Sequence, residues 1–323
     1  MQRSYLTVAL WLWSAAGAAA TAQPRPIAEL PMLARVAVPA GPGWLGVGFG
    51  SVWLTKSESH MLYRIDPLAD KVVASIPVGP DAELGIAFGL GSVWVADAKD
   101  HKLRQIDPRT NRVVHAFPVN IADEPEGSIA VGAGSLWLLT NENGTDSGTL
   151  SRLDPRTGKA IANIKVKPHS YAVVVAAGSA WVSNSSDASV LRIDTRSNKV
   201  VADIAVHPSP RFMAAGAGSL WVLSQSDGSL ARIDPATNRV IATIELGGAG
   251  PGGDLWVEDG TVWASAEGVP VSVVDPKTNT LVRQFAGGQK ADTLRAAFGA
   301  VWVVDELQGQ VWKLSIDRLR KVN

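Results

Sequence analysis

The stretch "SLARIDPATNRVIATI", from Ser229 to Ile244, has five close counterparts in the same chain. They are "MLYRIDPLADKVVASI" from residue 61, "KLRQIDPRTNRVVHAF" from 102, "TLSRLDPRTGKAIANI" from 149, "SVLRIDTRSNKVVADI" from 189 and "VSVVDPKTNTLVRQF" from 271. Each copy has two short apolar runs around an Asp-Pro-x-Thr-Asn segment or a close variant. Pro suits the second position of a type I turn, and the residue four after the Asp is Asn, Asp or Gly, which tolerate a positive φ. The stretch therefore predicts a β-hairpin that recurs along the chain.

A longer unit surrounds each hairpin and is marked by a tryptophan. Seven such residues lie 39 to 44 positions apart: Trp53, Trp94, Trp137, Trp181, Trp221, Trp263 and Trp302. Every unit but the last holds four short apolar runs, which in the fifth unit are "RFMAAG", "SLWVLS", "SLARID" and "RVIATIEL". Four strands in about 42 residues, repeated seven times, are typical of β-propeller blades. We predict an all-β, seven-bladed β-propeller in which these tryptophans are structural and pack between blades.

The two ends of the chain complement each other. The seventh unit has no fourth apolar run, because the chain ends in "DRLRKVN" after "QVWKLSID". A spare run, "PMLARVAVP", lies at residues 31–39. We expect it to complete the seventh blade, since closure removes open sheet edges. Residues 23–323 then form one domain, with blades that start near residues 44, 84, 127, 171, 211, 254 and 292.

The first 22 residues have the pattern of a secretory signal peptide. Arg3 precedes an apolar run from Leu6 to Ala16, and Ala20-Thr21-Ala22 is a small-x-small cleavage site. We therefore expect an exported protein, periplasmic or extracellular, with no membrane span once the signal is cleaved. The chain contains no cysteine, which excludes disulfides.

The overall charge is balanced, with 30 basic and 30 acidic residues. A balanced chain has no global positive field to attract nucleic acid or anionic lipid. Nucleic acid is therefore not favoured as a partner. Weak binding of single-stranded DNA, by stacking on aromatic side chains, stays open as an alternative.

One rim of the predicted propeller has variable loops, whereas the other has the repeated turns. This variable rim contains the loops between successive blades and the loops between the second and third strands of each blade. Such a diversified rim is where a repeat scaffold places its binding chemistry. The candidate ligand-binding residues near its mouth are Trp44, Glu83, Glu126, Tyr171, Arg211, Phe212, Asp254, Asp292 and Arg295. Their mixed charges and aromatic rings suit a small polar ligand or a peptide, and Asp254 is the expected partner of Arg295 because a charge near the channel needs pairing.

Signals for catalysis are sparse. The chain has no nucleophile elbow, phosphate loop or zinc-type His spacing. His169 and His207, on variable-rim loops, are the only candidates for a catalytic role, and the catalytic residues stay unknown. No cofactor is predicted, but a divalent cation is possible if carboxylates such as Glu83, Glu124 and Glu126 converge with Asp254 and Asp292.

The unit "GAGSLWVLSQSDGSLARIDPATNRVIATIEL" resembles the YVTN-type β-propeller repeat of bacterial exported proteins. This resemblance covers nearly all of the chain after residue 22 and implies an exported propeller. The chain is more distantly similar to the streptogramin B lyase group, whose activity implies a His and Glu pair in a late blade. Here no His occurs after His207, so the last two blades do not match that pattern.

Function is much less determined than fold. We expect a monomeric, non-catalytic scaffold that binds a small polar ligand or an unknown envelope protein, and an enzyme is the less favoured interpretation. The main alternative is a metal-assisted lyase or lactone hydrolase of the streptogramin-lyase-like type.

Overall fold

The computed structural model describes residues 23–39, 43–56, 59–79, 85–122, 127–141, 148–288 and 293–321. Within these ranges the strands form seven sheets arranged as the blades of a ring. The fold is therefore the predicted seven-bladed β-propeller. No helix in the described part of the chain has the length and apolar character needed to cross a membrane.

Each of the first six blades takes its four strands from one continuous segment of chain. Before the first blade come β1 (Arg25–Pro26), a 3-10 helix (Ile27–Glu29) and β2 (Met32–Ala37). Blades one to three contain β3 (Trp44–Gly48), β4 (Ser51–Lys56), β5 (Met61–Asp66), β6 (Lys71–Pro77), β7 (Gly85–Gly89), β8 (Ser92–Asp97), β9 (Lys102–Asp107), β10 (Arg112–Pro118), β11 (Ile129–Gly132), β12 (Ser135–Thr140), β13 (Thr149–Leu153) and β14 (Ala160–Lys165).

In blades four to seven, as in blades one to three, the first strand of the repeat unit lies nearest the centre of the ring and the later strands follow outward. They contain β15 (Ser170–Ala176), β16 (Ser179–Asn184), β17 (Ser189–Asp194), β18 (Lys199–Ala205), β19 (Pro210–Gly216), β20 (Ser219–Ser224), β21 (Ser229–Asp234), β22 (Arg239–Glu245), β23 (Gly253–Glu258), β24 (Thr261–Ala266), β25 (Val269–Asp275), β26 (Thr280–Ala286), β27 (Leu294–Ala297), β28 (Ala300–Asp305) and β29 (Gln310–Ser315). A short helix, α1 (Ile316–Arg320), follows β29.

The ring is closed by the N-terminal segment. Strand β2 pairs antiparallel with β29 and is the outermost strand of blade seven, which confirms the predicted closure. Upstream of it, β1 adds in parallel to β26 of blade six, with Arg25 opposite Phe285. Between the two strands, Ile27 is 3% exposed and packs with Phe285 and Trp312. The segment therefore bridges blades six and seven as well as completing the seventh.

Two turns recur in the blades: the Asp-Pro-x-Thr-Asn hairpin turn and the tight turn between the first and second strands. Both have the backbone conformations that their residues favour. In the hairpin of the fifth blade, the Asp234 carboxylate accepts a hydrogen bond from the Ala236 amide at 2.9 Å, and Asn238 has a φ of 58°. In the turn between the first and second strands, Ala217 and Gly218 have φ values of 50° and 73°. Two central residues with positive φ are those of a type I′ hairpin turn, whose twist matches the flanking strands.

The seven repeat tryptophans are buried, with at most 1% of each exposed. A cation lies on the ring of most of them and links neighbouring blades. Arg192 lies 4.9 Å from the Trp181 ring centroid and donates through Nε to Ser179 of its own blade at 2.8 Å. Its Nη1 donates to Asn238 Oδ1, in the hairpin turn of the next blade, at 2.7 Å. We call this arrangement the interblade clamp.

The same clamp recurs around the ring. Arg64, Arg152 and Arg232 bond the turns of their following blades through Asn111, Asn198 and Asn279. Lys313 joins blade seven to blade one by donating to Asp70 at 2.7 Å. The residue four after the Asp therefore has a second role besides tolerating a positive φ, because its side chain accepts the cation of the preceding blade.

Two of the seven junctions differ. Between blades six and seven, Val273 stands where the clamp residue would be, and Arg320 of α1 lies 5.5 Å from the Trp263 ring centroid instead. Between blades two and three, Gln105 and Gly158 stand at the two clamp positions. Among the described residues, no cation lies on the ring of Trp94.

We expect Arg192→Met to lower the free energy of unfolding by about 2–3 kcal/mol. The change removes charge-assisted hydrogen bonds to the next blade, worth about 1.5–3 kcal/mol, and a cation–π contact. Urea unfolding followed by tryptophan fluorescence measures it. The matched control is Gln105→Met, at the junction without a clamp, for which we expect less than about 1 kcal/mol. Equal losses for the two variants would show that the clamp does not stabilise the ring.

Candidate functional site

The innermost strands of all seven blades line a central cavity of 340 Å³. Because each of these strands begins at the variable rim, the residues at their starts form what we call the channel mouth. The lining residues are Trp44, Ile86, Gly127, Ile129, Ala172 to Val175, Phe212 to Ala215, Asp254 to Val257 and Arg295. The cavity is therefore mainly apolar, with a carboxylate and a guanidinium among its lining groups.

Three aromatic rings cross the channel mouth. Trp44 of blade one stacks on Phe212 of blade five, with ring centroids 5.2 Å apart and an interplanar angle of 26°. Tyr171 of blade four meets Phe212 edge-on at 5.7 Å. All three are buried, and such stacked and edge-to-face pairs are the favoured aromatic geometries. All three residues are candidates by their positions in the sequence, and the fold brings them together.

Two arginines flank the aromatic rings. Arg295 lies 4.9 Å from the Trp256 ring centroid and 5.5 Å from that of Trp44. Arg211 lies 3.7 Å from the Tyr171 ring centroid and donates to Gln225 Oε1 at 3.2 Å. Each guanidinium is held against an aromatic face, an arrangement that restricts its orientation without removing all of its hydrogen-bonding capacity.

The pairing of Arg295 with Asp254, expected from the sequence, is present in the structure. The Asp254 carboxylate is 2% exposed and accepts a hydrogen bond from Arg295 Nη1. It also accepts the backbone amides of Leu255 at 2.7 Å and Leu294 at 3.1 Å. Burial nevertheless dominates and raises the pKa of Asp254 to about 6, against the opposing effects of Arg295 and the two amides. A group that titrates near pH 6 thus faces the cavity.

We expect Asp254 to make stability depend on pH between about pH 4 and pH 6. Because its pKa is raised above the ordinary value of 3.8, the folded chain binds the proton more tightly than the unfolded chain does. Its contribution to stability is therefore complete below about pH 4 and is lost as the pH rises through about 6.

The measurement is the free energy of unfolding of the wild type and of Asp254→Asn at several pH values. The wild type should lose stability relative to the variant as the pH rises through this window, because other titrating groups cancel in the difference. Parallel curves for the two proteins would contradict the raised pKa of Asp254.

The two candidate histidines lie away from the cavity lining. His207 Nδ1 lies 2.7 Å from Asp227 Oδ2, and both side chains are partly exposed. Burial tends to raise the pKa of Asp227, but the hydrogen bonds from His207 and Ser229 outweigh it and lower that pKa. His169 has a φ of 57° in the turn before β15. This geometry is that of surface loops, and it places neither imidazole among the groups that line the cavity.

The remaining candidates lie outside the described residues. They are Glu83, Glu124, Glu126 and Asp292. Within the described part of the chain, no group of three or more His, Asp or Glu side chains is arranged to hold a metal ion.

One residue of the site, Gln225, was not predicted from the sequence. Gln225, which accepts the Arg211 hydrogen bond, comes from the loop that follows β20. It also donates to the backbone carbonyl of Pro251, in the loop that leads to blade six, at 2.6 Å. Its position on a variable-rim loop is the one sequence feature that points to the site. A single Gln in a loop does not indicate which residue it will hydrogen-bond.

Comparison with known proteins relates the chain to other propellers by structure. A streptogramin B lyase structure superposes with a TM-score of 0.70, at 16% identity, over 85% of this chain and 93% of the other. A computationally designed protein superposes with a TM-score of 0.64, at 14% identity, over 84% of this chain and 82% of the other. At these identities the likeness shows the fold alone. No family model and no curated protein sequence matches the chain.

Proposed function

We propose that the protein is an exported, non-catalytic propeller that binds a small polar organic molecule at the channel mouth. The observation that carries the proposal is one central cavity whose lining brings together the rings of Trp44, Phe212 and Trp256 with the pair of Asp254 and Arg295. The resemblance of the repeat to YVTN-type units and the signal-like segment at residues 1–22 support export.

The chemistry of the cavity supports a ligand with a flat apolar part and a polar group. Trp44, Phe212 and Trp256 offer aromatic surface, whereas the pair of Asp254 with Arg295 offers fixed donors and acceptors. Arg211 packs on the Tyr171 ring, which meets Phe212 edge-on, and so supports the aromatic wall from behind. A mainly apolar pocket with a few oriented polar groups is the usual composition of a small-molecule site. A volume of 340 Å³ lies within the range of roughly 300–1,000 Å³ that such sites have.

The test is a thermal-shift screen of the chain from residue 23 against a library of small carboxylates, amines and heteroaromatic compounds. We expect at least one compound class to raise the melting temperature, and the rise to be lost in Phe212→Ala and reduced in Arg211→Ala. His115→Ala, on the exposed outer strand β10, is the matched control and should keep the response. A response that survives Phe212→Ala, or no response to any compound, would refute the channel-mouth site.

The alternative is a metal-assisted lyase, proposed by analogy with the streptogramin B lyase that shares the propeller fold. Its candidate groups are His169 and His207, with a divalent cation held by rim carboxylates. Elemental mass spectrometry of protein purified without chelator, followed by an assay with streptogramin B, tests it. One metal ion per chain, together with turnover that a His169→Ala, His207→Ala double variant abolishes, would replace the binding proposal. No metal and no turnover would leave the binding function as the better account.

A further inference from the structure

The junction between blades two and three is built differently from the clamped junctions. Gln105 Nε2 donates to Ser92 Oγ at 2.8 Å and so stays within its own blade. Across the junction, Gly158 has a φ of 66°, and a Cβ at this position would lie 2.4 Å from the Phe117 ring. The ring of Phe117 therefore fills the space that the clamp asparagine takes elsewhere, and no side chain bridges Gln105 and Gly158.

A cleft of 510 Å³ lies beside this modified junction. We call it the junction cleft. One wall is the outer strand of blade two, including Phe117 and the segment to Asn120, and the other is the face of blade three. It is separate from the central cavity, because the two share no lining residue.

A row of small polar side chains forms the floor of the junction cleft. The Thr140 and Ser151 hydroxyl oxygens lie 2.7 Å apart, and Ser151 donates to Asn163 Oδ1 at 2.9 Å. The positions equivalent to Ser151 in the third strands of blades one and seven are occupied by the much larger Tyr63 and Trp312. The small Ser151 is therefore one reason why the cleft is open.

Amide side chains accompany the hydroxyl groups in the cleft lining. Asn141 is 9% exposed and its side chain is part of the cleft lining. Asn163 is exposed at the edge of the cleft, and its Oδ1 accepts the Ser151 hydrogen bond. Side-chain amides both donate and accept hydrogen bonds, so these groups can bind water or a polar ligand that displaces it.

The chemistry of the cleft distinguishes between ligand classes. Its polar lining consists mainly of amides and hydroxyls, which both donate and accept, and its one charged residue is the exposed Lys159. A ligand for this lining is uncharged and carries many groups that both donate and accept. The Phe117 ring, also in the lining, can cover an apolar C–H face of such a ligand.

We propose that the junction cleft is a second binding site, specific for a neutral, hydroxyl-rich ligand of the saccharide class. The interblade clamp is absent at this junction, and the cleft is lined by amides, hydroxyls and the Phe117 ring. The site is independent of the one proposed at the channel mouth.

The experiment is binding of the chain from residue 23 to a microarray of neutral oligosaccharides, followed by calorimetric titration with any glycan retained. We expect at least one neutral glycan to bind. Ser151→Tyr, which fills the cleft with a residue tolerated at the same register in blade one, should abolish binding. Asn141→Ala should weaken it about tenfold, the loss expected for one hydrogen bond.

The controls separate the two sites and guard against misfolding. Phe212→Ala, at the channel mouth, should leave glycan binding unchanged. Circular dichroism and melting temperature check that both cleft variants fold, and Asn141→Ala keeps the test valid if Ser151→Tyr does not fold. Failure to bind any glycan, or binding that Asn141→Ala and a folded Ser151→Tyr leave unchanged, would overturn the proposal. Selective retention of charged glycans or peptides on parallel arrays would overturn the ligand class.

Discussion

Removal of residues 23–38 is expected to lower the free energy of unfolding by roughly 5 kcal/mol or more. The deletion removes three buried side chains, Ile27, Val36 and Val38, each worth about 1.5–3 kcal/mol. It also exposes the edge of β29, whose backbone groups pair with β2 in the intact protein. Urea unfolding followed by tryptophan fluorescence gives the stability. Size-exclusion chromatography detects the self-association that a bare strand edge favours.

A shorter deletion is the matched control. A chain that begins at residue 31 loses β1 and Ile27 but keeps β2 and therefore the complete seventh blade. We expect it to lose about 2–3 kcal/mol, the value of one buried aliphatic side chain with a short parallel pairing, and to stay monomeric. Equal stability of the two truncated chains would show that β2 does not close the ring. If the chain without residues 23–38 were about as stable as the intact chain, ring closure by β2 would contribute little to the free energy of unfolding.

Trp221→Ala is expected to lower the free energy of unfolding by about 3–5 kcal/mol. The Trp221 side chain is fully buried between blades, so its removal leaves a cavity that the surrounding strands fill only partly. Its Nε1 donates to the Gly216 carbonyl at 3.2 Å, and its ring supports Arg232 at 5.0 Å from the centroid. The variant therefore weakens the packing and the interblade clamp together.

Trp221→Phe is the matched control for the same position. Phenylalanine keeps an aromatic face for Arg232 but loses the hydrogen bond and some volume, so we expect a loss of about 1–2 kcal/mol. Both losses are measured by urea unfolding under identical conditions. A loss below about 1 kcal/mol for Trp221→Ala would contradict the predicted packing role of the seven repeat tryptophans.

The blades were predictable because their signals are local and repeated. Alternating apolar runs indicate strands, and the Asp-Pro-x-Thr-Asn segment indicates a turn with one positive-φ position. Asp70, Asn111, Asn198, Asn238 and Asn279 all have φ values between 51° and 58°, as those residue types allow. Because the pattern occurs seven times, a strand that is mispredicted in one copy can be corrected from the others. The seventh unit lacks a fourth strand, and the unpaired apolar run near the N-terminus is the segment that can supply it.

The candidate site was predictable only in part. Asp254 and Arg295 were paired from the sequence because a charge near the channel requires a counter-charge. Trp44, Tyr171 and Phe212 were placed on one rim, but their mutual stacking depends on which blades face one another across the channel. The junction cleft had no sequence signal of its own, since Gln105 and Gly158 are unremarkable until the clamp at the other junctions is known.

The number of blades, the turns, the closing strand and the buried tryptophans can all be predicted from the sequence, because each follows from residues close together in the chain or from the period of the repeat. The contacts between side chains of different blades become visible only in the folded ring. Arg192 and Asn238, or Trp44 and Phe212, are brought together by ring closure, and their contacts depend on the tilt and spacing of whole sheets. Those quantities are set by packing over the entire ring, which no local pattern of residues encodes.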